Sequence, residues 1–156
     1  MIRTNRMVSG DRNATRQVFL AMTTLWCGAI LLAPAAALES VYAFFSLICH
    51  QLPDRTWHID GHPLAVCIRC TSIYGGFLVA LILGVPARTG FLRLAVAGMA
   101  AEWVVARLWI DWEPARILTG LMLGLSTAGF VILGINGMID ERLRSRRTWP
   151  EMETRP

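Results

Sequence analysis

The apolar residues of this chain form long runs, whereas its charged residues lie at the two ends and in short gaps between the runs. A helix that crosses the roughly 30 Å hydrocarbon core of a bilayer needs about 20 consecutive, mostly apolar residues. Four runs reach this length, at residues 17–38, 64–85, 91–110 and 115–138. The pattern therefore predicts an all-α, polytopic membrane protein whose residues 17–138 form a single domain of four transmembrane helices.

The arginines are concentrated at alternate ends of these spans. Basic residues in short flanking segments mark the cytoplasmic side of a membrane protein. Besides Arg155, which lies farther along the tail, ten arginines flank the predicted cytoplasmic ends of the spans: Arg3, Arg6, Arg12, Arg16, Arg88, Arg93, Arg142, Arg144, Arg146 and Arg147. The two loops of the opposite side contain only Arg55 and Arg116, among five acidic residues. We therefore predict a cytoplasmic N-terminal arm (1–16), a cytoplasmic Arg-rich tail (139–156) and a location in the prokaryotic cytoplasmic (inner) membrane.

The first apolar run permits a second interpretation. An Arg-rich start followed by an apolar segment and Ala35-Ala36-Ala37 is also typical of a cleaved signal peptide. The run is long for the hydrophobic region of a signal peptide, so we favour a transmembrane helix.

The composition indicates which classes of partner to expect. The hydrophobic fraction of 54% exceeds the roughly 45–50% of soluble domains, and the mean hydropathy is +0.48. The net charge is +4, but no basic run is interleaved with aromatic residues and no nucleic-acid-binding motif is present. We expect membrane lipid, other membrane proteins or a second copy of the chain as partners, and no nucleic acid.

Small residues recur at four-residue spacing on two of the spans. They are Gly76, Ala80 and Gly84 on the second span and Gly120, Gly124 and Ala128 on the fourth. Such stripes let helix backbones approach closely in lipid, where packing drives association. We favour packing within the bundle over a homo-dimer face.

The connection between the first two spans, residues 39–63, contains a short amphipathic helix. Ser40 is a candidate N-cap, and an apolar stripe follows at i, i+3, i+4 and i+7: Val41, Phe44, Phe45 and Ile48. The segment is too short to span and ends before Pro53, so we predict an interfacial or re-entrant helix.

The candidate chemistry lies in and directly after this connection. All three histidines and three of the four cysteines fall between residues 49 and 70, on the predicted extracytoplasmic side. Cys67 and Cys70, three residues apart at the start of the second span, share one helix face. Cys27 lies inside the first span and is expected to be a small packing residue.

A metal site is the interpretation we favour for this cluster. Cys49, Cys67 and Cys70 with His50 make a Cys₃His set, which is a normal tetrahedral environment for zinc. His62 is an alternative fourth ligand, because two ligands that are adjacent in sequence are geometrically awkward. The protein would then be an accessory, assembly or metal-handling factor rather than an enzyme.

Two other interpretations remain open. In a thiol–disulfide oxidoreductase, Cys67 and Cys70 would be the redox pair, Cys49 the resolving cysteine, and a quinone or another protein's disulfide the substrate. A structural disulfide would leave one of the three cysteines unpaired. A third function, a small structural subunit of a larger membrane complex, is suggested only by the size of the chain.

Three charged residues fall in the interior of the predicted spans, farther from the span ends than Arg93 and Arg116: Arg69, Glu102 and Arg107. Ionisable groups in a membrane usually pair with one another or serve function. We predict that Glu102, near the centre of the third span, pairs with Arg69 or Arg107, with a proton relay as the alternative.

Two motifs carry a resemblance to a known family. The first is Cys49-His50-Gln51-x-Pro53-Asp54-Arg55-Thr56, continued by Pro63 and Cys67-x-Arg69-Cys70-Thr71-x-x-Tyr74; the second is Arg116-x-x-Thr119-Gly120-x-x-x-Gly124. Over roughly residues 45–125 the chain resembles a family of small predicted bacterial and archaeal membrane proteins, catalogued as a domain of unknown function. The resemblance implies a membrane location and a shared Cys/His site, and it supplies no activity.

Overall fold

The computed structural model describes residues 2–36, 38–108 and 112–153. The described residues are mostly helical, which confirms the all-α prediction. Five α-helices follow one another: α1 (Ile2–Leu32), α2 (Glu39–Ser46), α3 (Ile68–Leu83), α4 (Thr89–Leu108) and α5 (Glu113–Glu153). Between α2 and α3 lie a 3₁₀ turn (Pro53–Arg55) and two antiparallel strands, β1 (His58–Ile59) and β2 (His62–Pro63).

Two of the described helices are long and apolar enough to cross a membrane, in the stretches Asn13–Leu32 and Glu113–Ser145. The apolar helix α3 has only 16 residues, about 24 Å at 1.5 Å per residue, which is less than the roughly 30 Å of a hydrocarbon core. Helix α4 has 20 residues, three of them charged. Length and hydropathy thus support two of the four predicted spans.

Helix α3 is shorter than the span predicted for it, whereas α1 and α5 extend beyond theirs. Helix α3 begins at Ile68 rather than residue 64, because residues 64–67 continue the strand connection. It ends where Gly84 adopts a left-handed conformation with φ 67°. The predicted N-terminal arm and C-terminal tail continue α1 and α5 as helix, as far as they are described. The predicted end of the third span, Ile110, lies outside the described residues.

Helices α3 and α5 form the closest contact of the fold, and their glycines make it possible. A Cβ added to Gly76 would lie 2.4 Å from the backbone oxygen of Leu121, and one added to Gly124 would lie 2.1 Å from that of Ile73. Ala80 and Ala128 are buried in the same contact. The small-residue stripes therefore pack α3 against α5 inside the bundle, where α4 contacts α5 and α1 contacts α3.

Arg16 fixes the end of α3 that is farther from the cysteines. Its Nε and Nη2 donate to the backbone oxygens of Leu81 and Ile82, each at 2.7 Å. These carbonyls belong to the last turn of α3, where a cation is favoured by the helix dipole. One of the arginines predicted to mark the cytoplasmic side thus also ties α1 to α3.

The short helix predicted between the first two spans is present as α2. It belongs to what we call the strap, residues 38–67, which joins α1 to α3. The N-cap of α2 is Leu38, without a side-chain hydrogen bond, so the prediction of a Ser40 cap is wrong. The predicted stripe is only partly buried, since Phe45 is 2% exposed while Phe44 and Ile48 are about half exposed.

The buried side of the strap rests on α1 and on the start of α3. Phe45 meets Trp26 of α1 edge to face, with ring centroids 5.0 Å apart. Residues 64–66 are at most 2% exposed, and Cys49 is buried in the same cluster. The apolar core at this end of the fold therefore surrounds the cysteines.

Gly124→Ala tests the α3–α5 contact. The new methyl group would overlap the Ile73 carbonyl, and such overpacking costs about 1–3 kcal/mol or more. We expect a lower Tm for the purified protein in detergent micelles. Gly134→Ala, at a helical glycine with nothing within 4 Å, is the matched control. Equal Tm values for the two variants would contradict the packing described here.

Candidate metal site

The strap and the first turn of α3 together bring the three cysteines close to one another. Cys49 follows the last turn of α2, and its backbone N–H donates to the Phe45 oxygen at 2.9 Å. Cys67 is the N-cap of α3, and Cys70 lies in the first turn of that helix. The hairpin between them reverses the chain at Asp60-Gly61, where both residues have positive φ, 51° and 81°. The 17 residues between Cys49 and Cys67 thus form a closed loop.

The sulfur atoms of Cys49, Cys67 and Cys70 all lie within 4.8 Å of one another. Cys49 is 6% exposed and the other two are half-buried. The Cys49 sulfur accepts a hydrogen bond of 3.2 Å from the Cys67 backbone N–H. All four cysteines of the chain are free thiols, so the cluster is a set of three convergent sulfur ligands.

The start of α3 favours the thiolate form of Cys67. The Cys67 sulfur lies at the N-terminal end of this helix, where the helix dipole favours negative charge. The cluster therefore contains at least one thiol that is well placed to act as an anionic ligand.

A glutamine holds the two halves of the strap together. Gln51 adopts a left-handed backbone conformation with φ 47°, and its side-chain amide donates to the backbone oxygens of Tyr42 at 2.8 Å and Ala65 at 2.7 Å. The Tyr42 hydroxyl donates to the Pro63 oxygen at 2.5 Å. These bonds fix the distance between Cys49 and Cys67, a role that the sequence analysis missed. The position of Gln51 directly after Cys49 and His50 in the family motif was the one indication of this role in the sequence.

The structure does not bring the histidines into the cluster. His50, His58 and His62 are exposed, and none has a ring nitrogen within the 4.8 Å group formed by the three sulfurs. Of the predicted Cys₃His set, the structure therefore groups the three cysteines alone, and His62 belongs to the exposed hairpin. His50 does line a cavity that Cys67 also lines.

Charged residues from three helices meet next to the cysteines. The Glu102 carboxylate of α4 is buried, accepts a hydrogen bond from Nη2 of Arg69 in α3, and lies 3.6 Å from Nε of Arg116 in α5. The Arg69 pair is one of the two predicted pairings. Arg107 is exposed and forms no ion pair within the described part of the chain. Arg116 was missed as a partner, although it begins the second family motif.

The three sulfurs fit a tetrahedral zinc ion. With Zn–S bonds of about 2.3 Å, the sulfurs of a tetrahedral site lie about 3.8 Å apart, which is within the 4.8 Å that bounds this cluster. Three thiolates would leave the fourth position for a further ligand or a water molecule. The same proximity also suits a Cys67–Cys70 disulfide after small movements.

Residues 49–130, more than half of the chain, match the model of the family described as Predicted membrane protein (DUF2085). The chain belongs to this family. The matched region begins at Cys49 and includes the cysteine cluster and the three charged residues that meet beside it.

Two archaeal relatives support the assignment. An uncharacterized protein of Methanocaldococcus jannaschii is 32% identical over 104 residues, which are 59% of this chain and 66% of the relative. An uncharacterized protein of Methanothermobacter thermautotrophicus is 41% identical over 56 residues, 33% of this chain and 50% of the relative. The chain thus spans between half and two thirds of the length of these relatives. No solved structure matches the chain.

Glu102→Gln tests the charge cluster. The substitution keeps the shape of the side chain but leaves Arg69 and Arg116 without their shared carboxylate. Removing one partner of a buried ion pair costs roughly 3–5 kcal/mol, so we expect a clear loss of thermal stability in detergent. Glu141→Gln, at an exposed position of α5, should leave the Tm unchanged. A Glu102→Gln protein as stable as the wild type would show that the cluster does not stabilise the fold.

Proposed function

We propose that this protein is a multi-pass protein of the cytoplasmic membrane that holds a zinc ion on the outer side through Cys49, Cys67 and Cys70. The observation that carries the proposal is the convergence of three free thiols within 4.8 Å, from two segments 17 residues apart. The protein serves as an accessory, assembly or metal-handling factor.

The fold and the family support the membrane part of this proposal. Helices α1 and α5 contain the two apolar stretches of sufficient length, and the family is one of predicted membrane proteins. In this proposal helices α3 and α4 also cross, and the non-helical residues 64–67 lengthen the segment that contains α3. We infer from the arginine distribution that both termini are cytoplasmic and that the strap is on the outer side.

The choice of zinc follows from the donor atoms. Three thiolates suit a borderline-soft ion that takes four ligands, whereas calcium and magnesium prefer oxygen. Zinc bound here would tie Cys49, at the end of α2, to both cysteines of α3. Because the strap and α3 meet only through short polar contacts and a small core, the metal would contribute directly to the folding of this end of the molecule.

Cys70→Ser tests the metal site. We expect the wild-type protein, purified in detergent, to contain about one zinc per chain by elemental analysis, since three convergent thiol ligands suit a tetrahedral zinc site. Cys70→Ser should lose most of this metal, while Cys27→Ser, at a cysteine outside the cluster, should retain it. Replacement by Co²⁺ should give the absorption of a tetrahedral thiolate site. Wild-type protein without metal, after purification and after reconstitution, would contradict the proposal.

A thiol–disulfide oxidoreductase is the second candidate, and the observation that favours it is the Cys67–Cys70 pair at the start of α3, with its sulfurs within 4.8 Å of each other. A nucleophilic thiolate next to a second thiol is the arrangement such enzymes use. Thiol titration separates the two functions. If metal-free protein with free thiols forms a Cys67–Cys70 disulfide while an added quinone takes up the two electrons and two protons to become a quinol, redox chemistry replaces the zinc proposal.

His50→Ala tests the fourth ligand. His50 follows Cys49 directly and lines a cavity together with Cys67, so a rotation of its side chain is the shortest route to the open position. We expect His50→Ala to weaken zinc binding by at least about tenfold, the lower end of effects seen when groups that support a metal are removed. His58→Ala, in the exposed hairpin, is the control. Equal affinities would exclude His50 as the fourth ligand.

A further inference from the structure

A cavity of about 500 Å³ lies beside the cysteine cluster, between the strap and the adjoining ends of α3, α4 and α5. Its volume falls in the range of about 300–1,000 Å³ that is typical of small-molecule sites. Part of its lining is apolar, including Trp103 of α4. The remaining lining is basic, from four arginines and a histidine: Arg55, Arg69, Arg107, Arg116 and His50.

The basic lining contains no carboxylate among the described residues. The nearest such group, Glu102, is already shared by Arg69 and Arg116. Even so, the buried Nε of Arg69 has no hydrogen-bond partner, and Arg107 forms no ion pair or hydrogen bond with the described residues. Buried donors without partners are costly, and positive charges at a membrane surface attract anions. The lining of the cavity is therefore chemically suited to a ligand with negatively charged acceptor oxygens.

We propose that this cavity binds the phosphate group of a phosphomonoester. Guanidinium groups bind phosphate oxygens through paired hydrogen bonds, and four arginines around one space suit a group of about two negative charges better than a single carboxylate. Trp103, which is 56% exposed, gives the organic part of the ligand an apolar contact on α4. Such a ligand could come from solution or could be the head group of a lipid in the outer leaflet. The site does not depend on the zinc proposal, because its donors are guanidinium groups.

Arg107→Gln is the variant that tests the proposal. Arg107 makes no contact with a carboxylate among the described residues, so its replacement should leave the fold intact. Arg93→Gln, at an exposed arginine of the same helix outside the cavity, is the matched control. The full-length protein in uncharged detergent is titrated with inorganic phosphate, with dihexanoyl phosphatidic acid and with acetate, and binding is followed by calorimetry.

We expect wild-type protein and Arg93→Gln to bind a phosphate probe equally, and Arg107→Gln to bind it about 10- to 100-fold more weakly, as for the loss of a hydrogen bond to a charged group. Binding of inorganic phosphate supports a soluble ligand, whereas binding of phosphatidic acid alone supports a lipid head group. Equal binding of acetate would overturn the choice of phosphate. Absence of binding by both phosphate probes, or equal effects of the two arginine variants, would overturn the site itself.

Discussion

The Glu102 carboxylate joins three helices at the depth where the cysteines lie. It belongs to α4, and it contacts Arg69 of α3 and Arg116 of α5. A carboxylate that is 9% exposed is unfavourable unless cations and donors surround it. Because Arg69 directly precedes Cys70 in α3, the contact that satisfies Glu102 also fixes the first turn of that helix. The position of two of the three sulfurs therefore depends on this charge cluster.

The third sulfur depends on a different kind of constraint. Cys49 is held by the strap, where Gln51 bonds to backbone oxygens on both sides of the loop and Phe45 is buried against Trp26. None of these contacts involves the charge cluster. The two arrangements meet at the hydrogen bond from the Cys67 backbone to the Cys49 sulfur. A metal at this point would connect an element held by apolar burial to one held by buried charge.

Sequence patterns predicted the features that follow from periodicity and local spacing. The helical class, the short helix before Pro53 and the convergence of three cysteines needed only apolar runs, a helix-breaking residue and an i, i+3 pair. Patterns could not supply the start of α3, because residues 64–67 are as apolar as a helix would be. They instead form a non-helical segment in which residues 64–66 are buried in the same core as Phe45 of α2. Apolar periodicity reports burial, and it does not distinguish these two ways to achieve it.

The site was only partly predictable for a similar reason. Arg116 and Gln51 act on groups 14 residues away in Glu102 and Ala65, and no local pattern encodes which partner a buried polar group finds. The histidines show the converse. The closeness of His50 and His62 to the cysteines in sequence suggested a shared fourth ligand, yet His62 lies exposed in the hairpin of β1 and β2. The motif marks a common segment, and the backbone path decides which of its side chains converge.

Charge also explains why the thiols and the arginines are neighbours. Three thiolates around Zn²⁺ carry a formal charge of −1, and three thiolates without metal carry more. An anionic centre near lipid is unfavourable unless positive charge lies close by. Arg69 and Arg116 are both shared with Glu102, so the balance falls to Arg55 and Arg107, which line the same cavity as Cys67. The basic cavity and the sulfur cluster thus compensate each other's charge. This lowers the free-energy cost of burying either group near lipid.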